Sequence, residues 1–118
     1  MANAALFIGF GTPVRGRERK AVQEFQATLQ YYGRLQQQGV IESFEPVFLE
    51  PHGGDLGGFI LLRGDRERLA RLRTDEEFNR YTLRASLVVE SLGVVSATIG
   101  DELQRQMGVY QQALGELA

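Results

Sequence analysis

Residues 41–64 read Ile-Glu-Ser-Phe-Glu-Pro-Val-Phe-Leu-Glu-Pro-His-Gly-Gly-Asp-Leu-Gly-Gly-Phe-Ile-Leu-Leu-Arg-Gly, and this stretch decides the fold. Two apolar, β-prone runs flank a turn at residues 51–55, whose glycines can take the positive φ angles that a chain reversal needs. The pattern predicts an antiparallel hairpin with strands over residues 41–50 and 56–63. Pro46 cannot donate a hydrogen bond to a neighbouring strand, so the first strand should lie at a sheet edge or be bulged there.

Both predicted strands of the hairpin carry apolar side chains on both faces. In the first strand the two faces hold Ile41, Ser43, Val47 and Leu49 on one side and Phe44 and Phe48 on the other. In the second strand they hold Ile60 and Leu62 on one side and Phe59 and Leu61 on the other. A sheet with one face in water would show polar residues at alternate positions. We therefore expect both faces of this sheet to be covered.

The remaining chain supplies further strands and helices on either side of the hairpin. Short apolar runs predict strands at residues 5–10 and 94–99. Three- and four-residue spacing predicts a long amphipathic helix over residues 17–38 and a short one over residues 66–73. The same spacing continues from Phe78 to Leu92, although Leu87-Val88-Val89 is also typical of a strand. Leu103, Met107, Tyr110, Leu114 and Leu117 form a heptad-spaced stripe on a last helix.

Two capping boxes are predicted at helix starts. Thr74 with Glu77 fits the pattern in which a hydroxyl accepts from the third amide of the helix and a carboxylate reaches back. Asp101 with Gln104 fits the same pattern before the last helix.

Composition excludes several classes of function. The chain of 118 residues is long enough for one domain with its own core, so we expect a single domain over residues 1–118. It has no cysteine, which excludes disulfides and thiolate chemistry and is consistent with a cytoplasmic location. The net charge of −2 does not favour nucleic acid as a partner. Neither a signal peptide nor a membrane-spanning segment is expected.

The order strand–helix–strand–strand–helix–strand is the ferredoxin-like α+β arrangement, here with an extra C-terminal helix. It predicts a four-stranded antiparallel sheet with helices on one face. The chain resembles the dimeric α+β barrel superfamily in this order and in the phrases at residues 45–55 and 92–95. The resemblance implies a homodimer packed through the uncovered sheet face. That face would carry a share of these residues or their alternates: Leu6, Ile8, Phe44, Phe48, Phe59 and Leu61.

His52 is the one histidine in the chain, and Glu50 and Asp55 lie near it in sequence. Together they could offer one nitrogen and two carboxylates to a metal, but a single histidine in a glycine-rich turn is typical of ordinary turn structure. We therefore predict no metal site and no cofactor. We expect replacement of His52 by alanine to change stability by no more than about 0.5 kcal/mol.

A second candidate site is the cleft between the sheet and its helices, since the resembled superfamily places its substrates there or inside the barrel. The polar residues able to reach it are Tyr31 or Tyr32, Arg63, Tyr81, Arg84 and Thr98. Arg63 ends an apolar strand, and an inward guanidinium there would suit an anionic or carbonyl group. We predict that a ligand contacts Arg63 and at least one of Tyr31, Tyr32, Tyr81 and Arg84. Two functions remain open: binding or transforming a small organic molecule, or a structural or regulatory dimer without catalysis.

Overall fold

The computed structural model describes residues 2–118. Its elements follow one another as β1 (Ala4–Phe10), α1 (Glu18–Gln37), β2 (Ser43–Phe48), β3 (Gly58–Gly64), α2 (Arg66–Arg73), α3 (Glu76–Ser86), β4 (Gly93–Ala97) and α4 (Gly100–Leu117). The predicted order of elements is confirmed: β1 begins one residue before its predicted span, and the other three strands are each shorter than predicted.

The four strands form one antiparallel sheet in the order β2-β3-β1-β4. This order confirms the ferredoxin-like α+β fold. β2 pairs with β3 alone and is therefore an edge strand, as Pro46 predicted. Pro46 lies opposite Ile60 in the register, and an edge strand tolerates the missing N–H because its other side needs no partner.

One face of the sheet is buried beneath α1, α2 and α3. Leu6 and Ile8 of β1 lie opposite Leu62 and Ile60 of β3, and all four are buried. The helices contribute the buried residues Ala21, Thr28, Tyr31, Tyr32, Leu35, Leu69, Leu72 and Phe78. Burying an aliphatic or aromatic side chain of this size contributes about 1.5–3 kcal/mol each. This face is the hydrophobic core.

The register corrects the assignment of residues to the two faces. Leu6, Ile8 and Phe44 lie on the helix side with the buried Leu62, so the set predicted for the uncovered face mixed the two sides. The uncovered face, called here the open face, is formed by Phe7 of β1, Phe59 and Leu61 of β3, Val47 of β2 and Val95 of β4. Without the register, alternation alone cannot tell which of two apolar faces meets the helices.

Glycine at position 9 shapes the open face. The rings of Phe7 and Phe59 stack there with centroids 5.0 Å apart. A Cβ atom on Gly9 would lie 2.7 Å from the Phe7 ring, so a larger residue at this position would displace it. Val95, on the neighbouring strand, is 54% exposed. The open face is thus apolar, ordered and partly in contact with solvent.

Helix α3 ends at Ser86, so the predicted continuation of helical spacing to Leu92 is wrong. The alternative of a strand-like segment from Leu87 is closer to the structure. Val14 donates to the Val88 carbonyl, and Gly11 donates to the Glu90 carbonyl at 2.7 Å. β-Branched residues in this segment favour extended backbone over another helical turn.

Both predicted capping boxes are wrong. Thr74 ends α2, where its hydroxyl donates to the Arg71 carbonyl at 2.9 Å. Asp75 is the N-cap of α3 and accepts from the Phe78 amide at 3.1 Å, a role that aspartate fills as well as threonine. Helix α4 begins at Gly100 after Ile99, without a side-chain cap, so Asp101 lies inside its first turn.

The last helix, α4, projects from the rest of the molecule. Leu103, Met107, Tyr110, Leu114 and Leu117 are between 43% and 87% exposed, and α4 buries no residue. The radius of gyration is 16.3 Å, above the roughly 13–14 Å of a compact chain of this length. Contacts at its base hold α4 in place: Arg66 lies 3.1 Å from Glu102, and Thr98 donates to Gln106 at 3.3 Å.

Candidate functional site

A cavity of about 730 Å³ lies between the helix side of the sheet and helices α1 and α3. Ile8 and Ile60 line it from the sheet, Thr28 and Tyr32 from α1, and Ala85 from α3. Its wall is mainly apolar, with a small number of hydroxyl and carboxylate side chains. Ligand sites in proteins commonly have this size and composition.

Three aromatic rings stand together at one end of the cavity. Phe25 of α1 lies 5.1 Å from Phe48 of β2, and Phe10 of β1 lies 6.1 Å from each of them. Phe48 is 70% exposed although it belongs to the helix side of the sheet. The cluster therefore joins the edge strand to α1 and places an aromatic ring at the solvent side of the cavity.

The turn at residues 51–55 also borders the cavity, and His52 closes this turn on itself. His52 Nε2 lies 2.7 Å from the Leu56 carbonyl, and the Gly54 amide donates to Nδ1 at 3.2 Å. These two bonds require the tautomer with the proton on Nε2. Gly53 has φ +85°, which glycine adopts without strain. Both imidazole nitrogens thus make hydrogen bonds within the turn. The small effect on stability expected from replacing His52 stays a prediction.

Glu24 of α1 brings a carboxylate to the cavity wall. Its Oε1 accepts from Arg84 of α3, at 2.6 Å from Nη2 and 3.2 Å from Nε. Its Oε2 is buried and has no hydrogen-bond partner among residues 2–118. The Arg84 guanidinium also lies over the Tyr81 ring, 5.5 Å from the centroid. Arg84 therefore binds one carboxylate oxygen of Glu24, and the other oxygen can still accept a hydrogen bond.

A column of aromatic and cationic groups continues between α1 and α3. The rings of Tyr81 and Tyr31 stack with centroids 4.4 Å apart and an angle of 8° between their planes. Arg34 lies over the Tyr31 ring at 5.5 Å and forms an ion pair with Glu77 at 3.5 Å. Cation–π and stacking contacts of this kind each contribute about 0.5–1.5 kcal/mol. This column fixes the spacing of the two helices that enclose the cavity.

Burial raises the pKa of both buried tyrosines. Removal from water is the main cause for Tyr32, with Tyr31 nearby as a second cause. Removal from water is again the main cause for Tyr31, followed by the charges of Asp75 and Glu77. A phenol with a raised pKa stays protonated, so the Tyr32 hydroxyl is neutral.

The structure brings four of the five predicted site residues close together and separates the fifth. Tyr32 and Tyr81 line the cavity, and Tyr31 and Arg84 stand in the column beside it. Arg63 lies on the open face, where it pairs with Glu45 at 3.1 Å. Because the sheet stands between Arg63 and the cavity, a ligand inside this cavity would not reach it.

Sequence reasoning missed Glu24. Helical spacing places Glu24 three residues after Ala21 and four before Thr28, both of which are buried. A carboxylate at this position of the buried face was therefore a signal in the sequence. Its partner Arg84, 60 residues away in the chain, could not be predicted, because the contact depends on how α1 and α3 pack.

Two further findings concern metals and membranes. Within residues 2–118 there is no group of three or more histidine, cysteine, aspartate or glutamate side chains that could hold a metal ion. Of the helices described, none has the length and hydrophobicity needed to cross a membrane.

Comparison with solved structures identifies the class of fold. No protein-family model matches the chain, and no curated protein matches it in sequence. A dimeric ferredoxin-like protein of unknown function from Jannaschia sp. CCS1 is 10% identical with a TM-score of 0.61, over 82% of this chain and 98% of that one. A dimeric protein of the same fold and unknown function from Bacteroides fragilis is 12% identical with a TM-score of 0.59, over 81% of this chain and 96% of that one.

A third similar structure has a known activity. SnoaB, a cofactor-independent oxygenase from Streptomyces nogalater, is 14% identical with a TM-score of 0.54, over 85% of this chain and 96% of that one. At these identities the likeness defines the fold. The chain is therefore an α+β protein of the ferredoxin-like class, similar in architecture to dimeric members and to the SnoaB type of α+β barrel.

Proposed function

We propose that this protein is a homodimeric single-domain binding protein that takes up a small organic molecule in the cavity between its sheet and helices α1 and α3. The observation that carries the proposal is the cavity of about 730 Å³, which falls inside the range of about 300–1,000 Å³ typical of ligand sites. Its apolar wall favours a ligand with a mainly apolar surface.

The packing of α1 against α3 supports a cavity that exists before a ligand binds. The Glu24–Arg84 pair and the Tyr81–Tyr31 stack join the two helices along its side. Between them the cavity is bordered by small or short side chains, including Ala21, Thr28 and Ala85. Binding to a preformed site loses less free energy to ordering than binding that must assemble the site.

The dimer is proposed on the open face. Phe7, Phe59 and Leu61 are only partly buried there, and Val95 is 54% exposed. A second copy placed on this face would remove those side chains from water, at about 25 cal/mol for each Å² of apolar surface. The proteins of similar fold from Jannaschia and Bacteroides fragilis are dimeric, which supports a homodimer here.

We propose that α4 adds to the same contact. Its stripe runs from Leu103 to Leu117 at alternating four- and three-residue steps, the spacing of a seam between packed helices. An exposed apolar stripe of this length is unusual on a soluble monomer. Extending from the end of edge strand β4, α4 is placed to reach a partner that packs on the sheet.

A non-catalytic dimerisation module is the second candidate function. The open face and α4 favour it, because assembly alone would account for both. The oxygenase among the similar structures shares this fold at 14% identity, which assigns no reaction to this chain. The absence of a cofactor and the cytoplasmic location stay predictions.

Filling the cavity tests the binding proposal. Ala85 lines the cavity, and Ser86 follows it on α3 outside the wall. We expect the dye 1-anilinonaphthalene-8-sulfonate to bind the wild-type dimer with enhanced emission. Ala85→Phe should reduce this emission several-fold, whereas Ser86→Phe should leave it unchanged. Thermal unfolding of both variants confirms that they fold. Equal dye binding by the two variants, or none by the wild type, would favour the dimerisation module.

A further inference from the structure

The cavity wall contains one carboxylate whose hydrogen bonding is unequal at its two oxygens. Arg84 directs both Nε and Nη2 to Glu24 Oε1, at 3.2 Å and 2.6 Å. Oε2 is buried without a partner among the described residues. A buried acceptor without a donor is costly, and such atoms in folded proteins are commonly satisfied by water or a ligand.

The charge of Glu24 is already balanced. Arg84 provides one positive charge at ion-pair distance, so a cationic ligand is not needed to neutralise the carboxylate. A carboxylate is an acceptor at both oxygens. The group that Glu24 lacks is therefore a neutral hydrogen-bond donor, and a hydroxyl or N–H group has this chemistry.

The other polar groups of the wall do not supply this donor in the structure. The Thr82 hydroxyl donates to the Phe78 carbonyl at 3.0 Å, inside its own helix. The side chain of Tyr32 lines the cavity, and its hydroxyl stays protonated because burial raises its pKa.

We propose that Glu24 is the ligand-recognition residue of the cavity, and that it selects neutral, mainly apolar organic molecules that carry a hydroxyl or N–H donor. Arg84 is a positioning residue, because it occupies one carboxylate oxygen and leaves the other for the ligand. This inference rests on the proposed function, since it requires that the cavity binds a small molecule.

Two fluorescent compounds of nearly equal size test the selection. 2-Naphthol offers a hydroxyl donor, and 2-methoxynaphthalene has the same ring system with the donor methylated. We expect the wild-type protein to bind 2-naphthol about tenfold more tightly, the effect of one hydrogen bond to a charged acceptor. Dissociation constants come from fluorescence titration at neutral pH.

Glu24→Gln is the matching variant. It keeps the size of the side chain, and its amide oxygen can still accept from Arg84, which leaves an NH2 group where Oε2 stood. The tenfold preference for 2-naphthol should then fall to about one. Glu67→Gln makes the same change on the exposed surface of α2 and should keep the wild-type preference.

The outcomes separate this inference from the proposed function. If both compounds bind the wild type equally well, the cavity binds ligands but Glu24 does not select among them, and the inference is wrong. A preference that survives Glu24→Gln would also overturn it. If neither compound binds, the binding function fails and the inference fails with it.

Discussion

The two faces of the sheet have the same kind of side chains and opposite surroundings. Leu62 and Leu61 are consecutive residues of β3, yet Leu62 is fully buried beneath the helices, whereas Leu61 on the open face is only partly buried. The helices of one chain cover one face of a four-stranded sheet in this fold. The difference between these two leucines shows that the chain leaves its second apolar face incompletely covered, which is why we propose a partner there.

The largest effect is expected on the covered face. Leu62→Ala should lower the free energy of unfolding by about 2–5 kcal/mol, because it removes buried methyl groups and leaves a cavity. Urea denaturation followed by circular dichroism measures the change. A loss below about 1 kcal/mol would mean that the core relaxes around the gap, which would weaken the contrast between the faces.

Leu61→Ala is the matched change on the open face. We expect a loss of about 1–2 kcal/mol that appears as weaker dimerisation, since the side chain would be buried against the partner. Dilution series by analytical ultracentrifugation should give a dimer dissociation constant about tenfold higher than that of the wild type. An unchanged constant would place the interface elsewhere.

Helix α4 should contribute less than the sheet. Replacing Met107 and Leu114 together by glutamine removes two apolar side chains from the exposed stripe. We expect dimerisation to weaken by up to about tenfold, with the fold of the rest of the chain unchanged, because α4 buries no residue in its own chain. Replacing Gln104 and Gln111 together by alanine on the same helix is the control. Equal dimer dissociation constants for the two double variants would show that α4 does not contact the partner.

The smallest effect concerns pH. Hydrogen bonds from Arg105, and then from Arg66, lower the pKa of Glu102 to about 2 from 4.5. Because the folded state favours the ionised carboxylate, its contribution is fully present above about pH 4.5 and is lost as the pH falls toward 2. An exposed ion pair contributes little to the free energy of unfolding.

Circular dichroism of the wild type and of Glu102→Gln checks this. In the wild type, helicity should fall between pH 4.5 and 2, in part because the first turn of α4 loses its ion pairs. The variant lacks these ion pairs at every pH, so its helicity should fall less over this range. Glu116→Gln, at the far end of the same helix, should behave as the wild type does. Identical curves for all three proteins would show that Glu102 does not stabilise the helix.

Periodicity predicted most of the fold because it reports burial directly. Alternating and helical spacing gave the eight elements in order, and Pro46 marked the edge strand. Spacing could not show where α3 ends, because Leu87-Val88-Val89 fits both a helix and a strand. In the structure, Val88 and Glu90 form hydrogen bonds with the segment after β1, and the helix ends before them.

The candidate site was less predictable, for a physical reason. Tyr32 and Tyr81 could be named as polar groups on apolar elements, and both line the cavity. Arg63 lies on the opposite face, because one residue along a strand reverses the side of the sheet to which a side chain belongs. Glu24 was missed although helical spacing places it between the buried Ala21 and Thr28; what the sequence does not show is its ion pair with Arg84, which depends on how two helices pack.

The mass of the protein in solution tests the central claim most directly. One protomer has a mass of 13.2 kDa. Light scattering at micromolar concentration should give twice that mass for the wild type and the mass of one protomer for Val95→Glu, which places a charge on the β4 side of the open face. Leu83→Glu, at a more exposed apolar position on α3, should remain a dimer. A wild-type mass of 13.2 kDa would contradict the account and leave the open face uncovered.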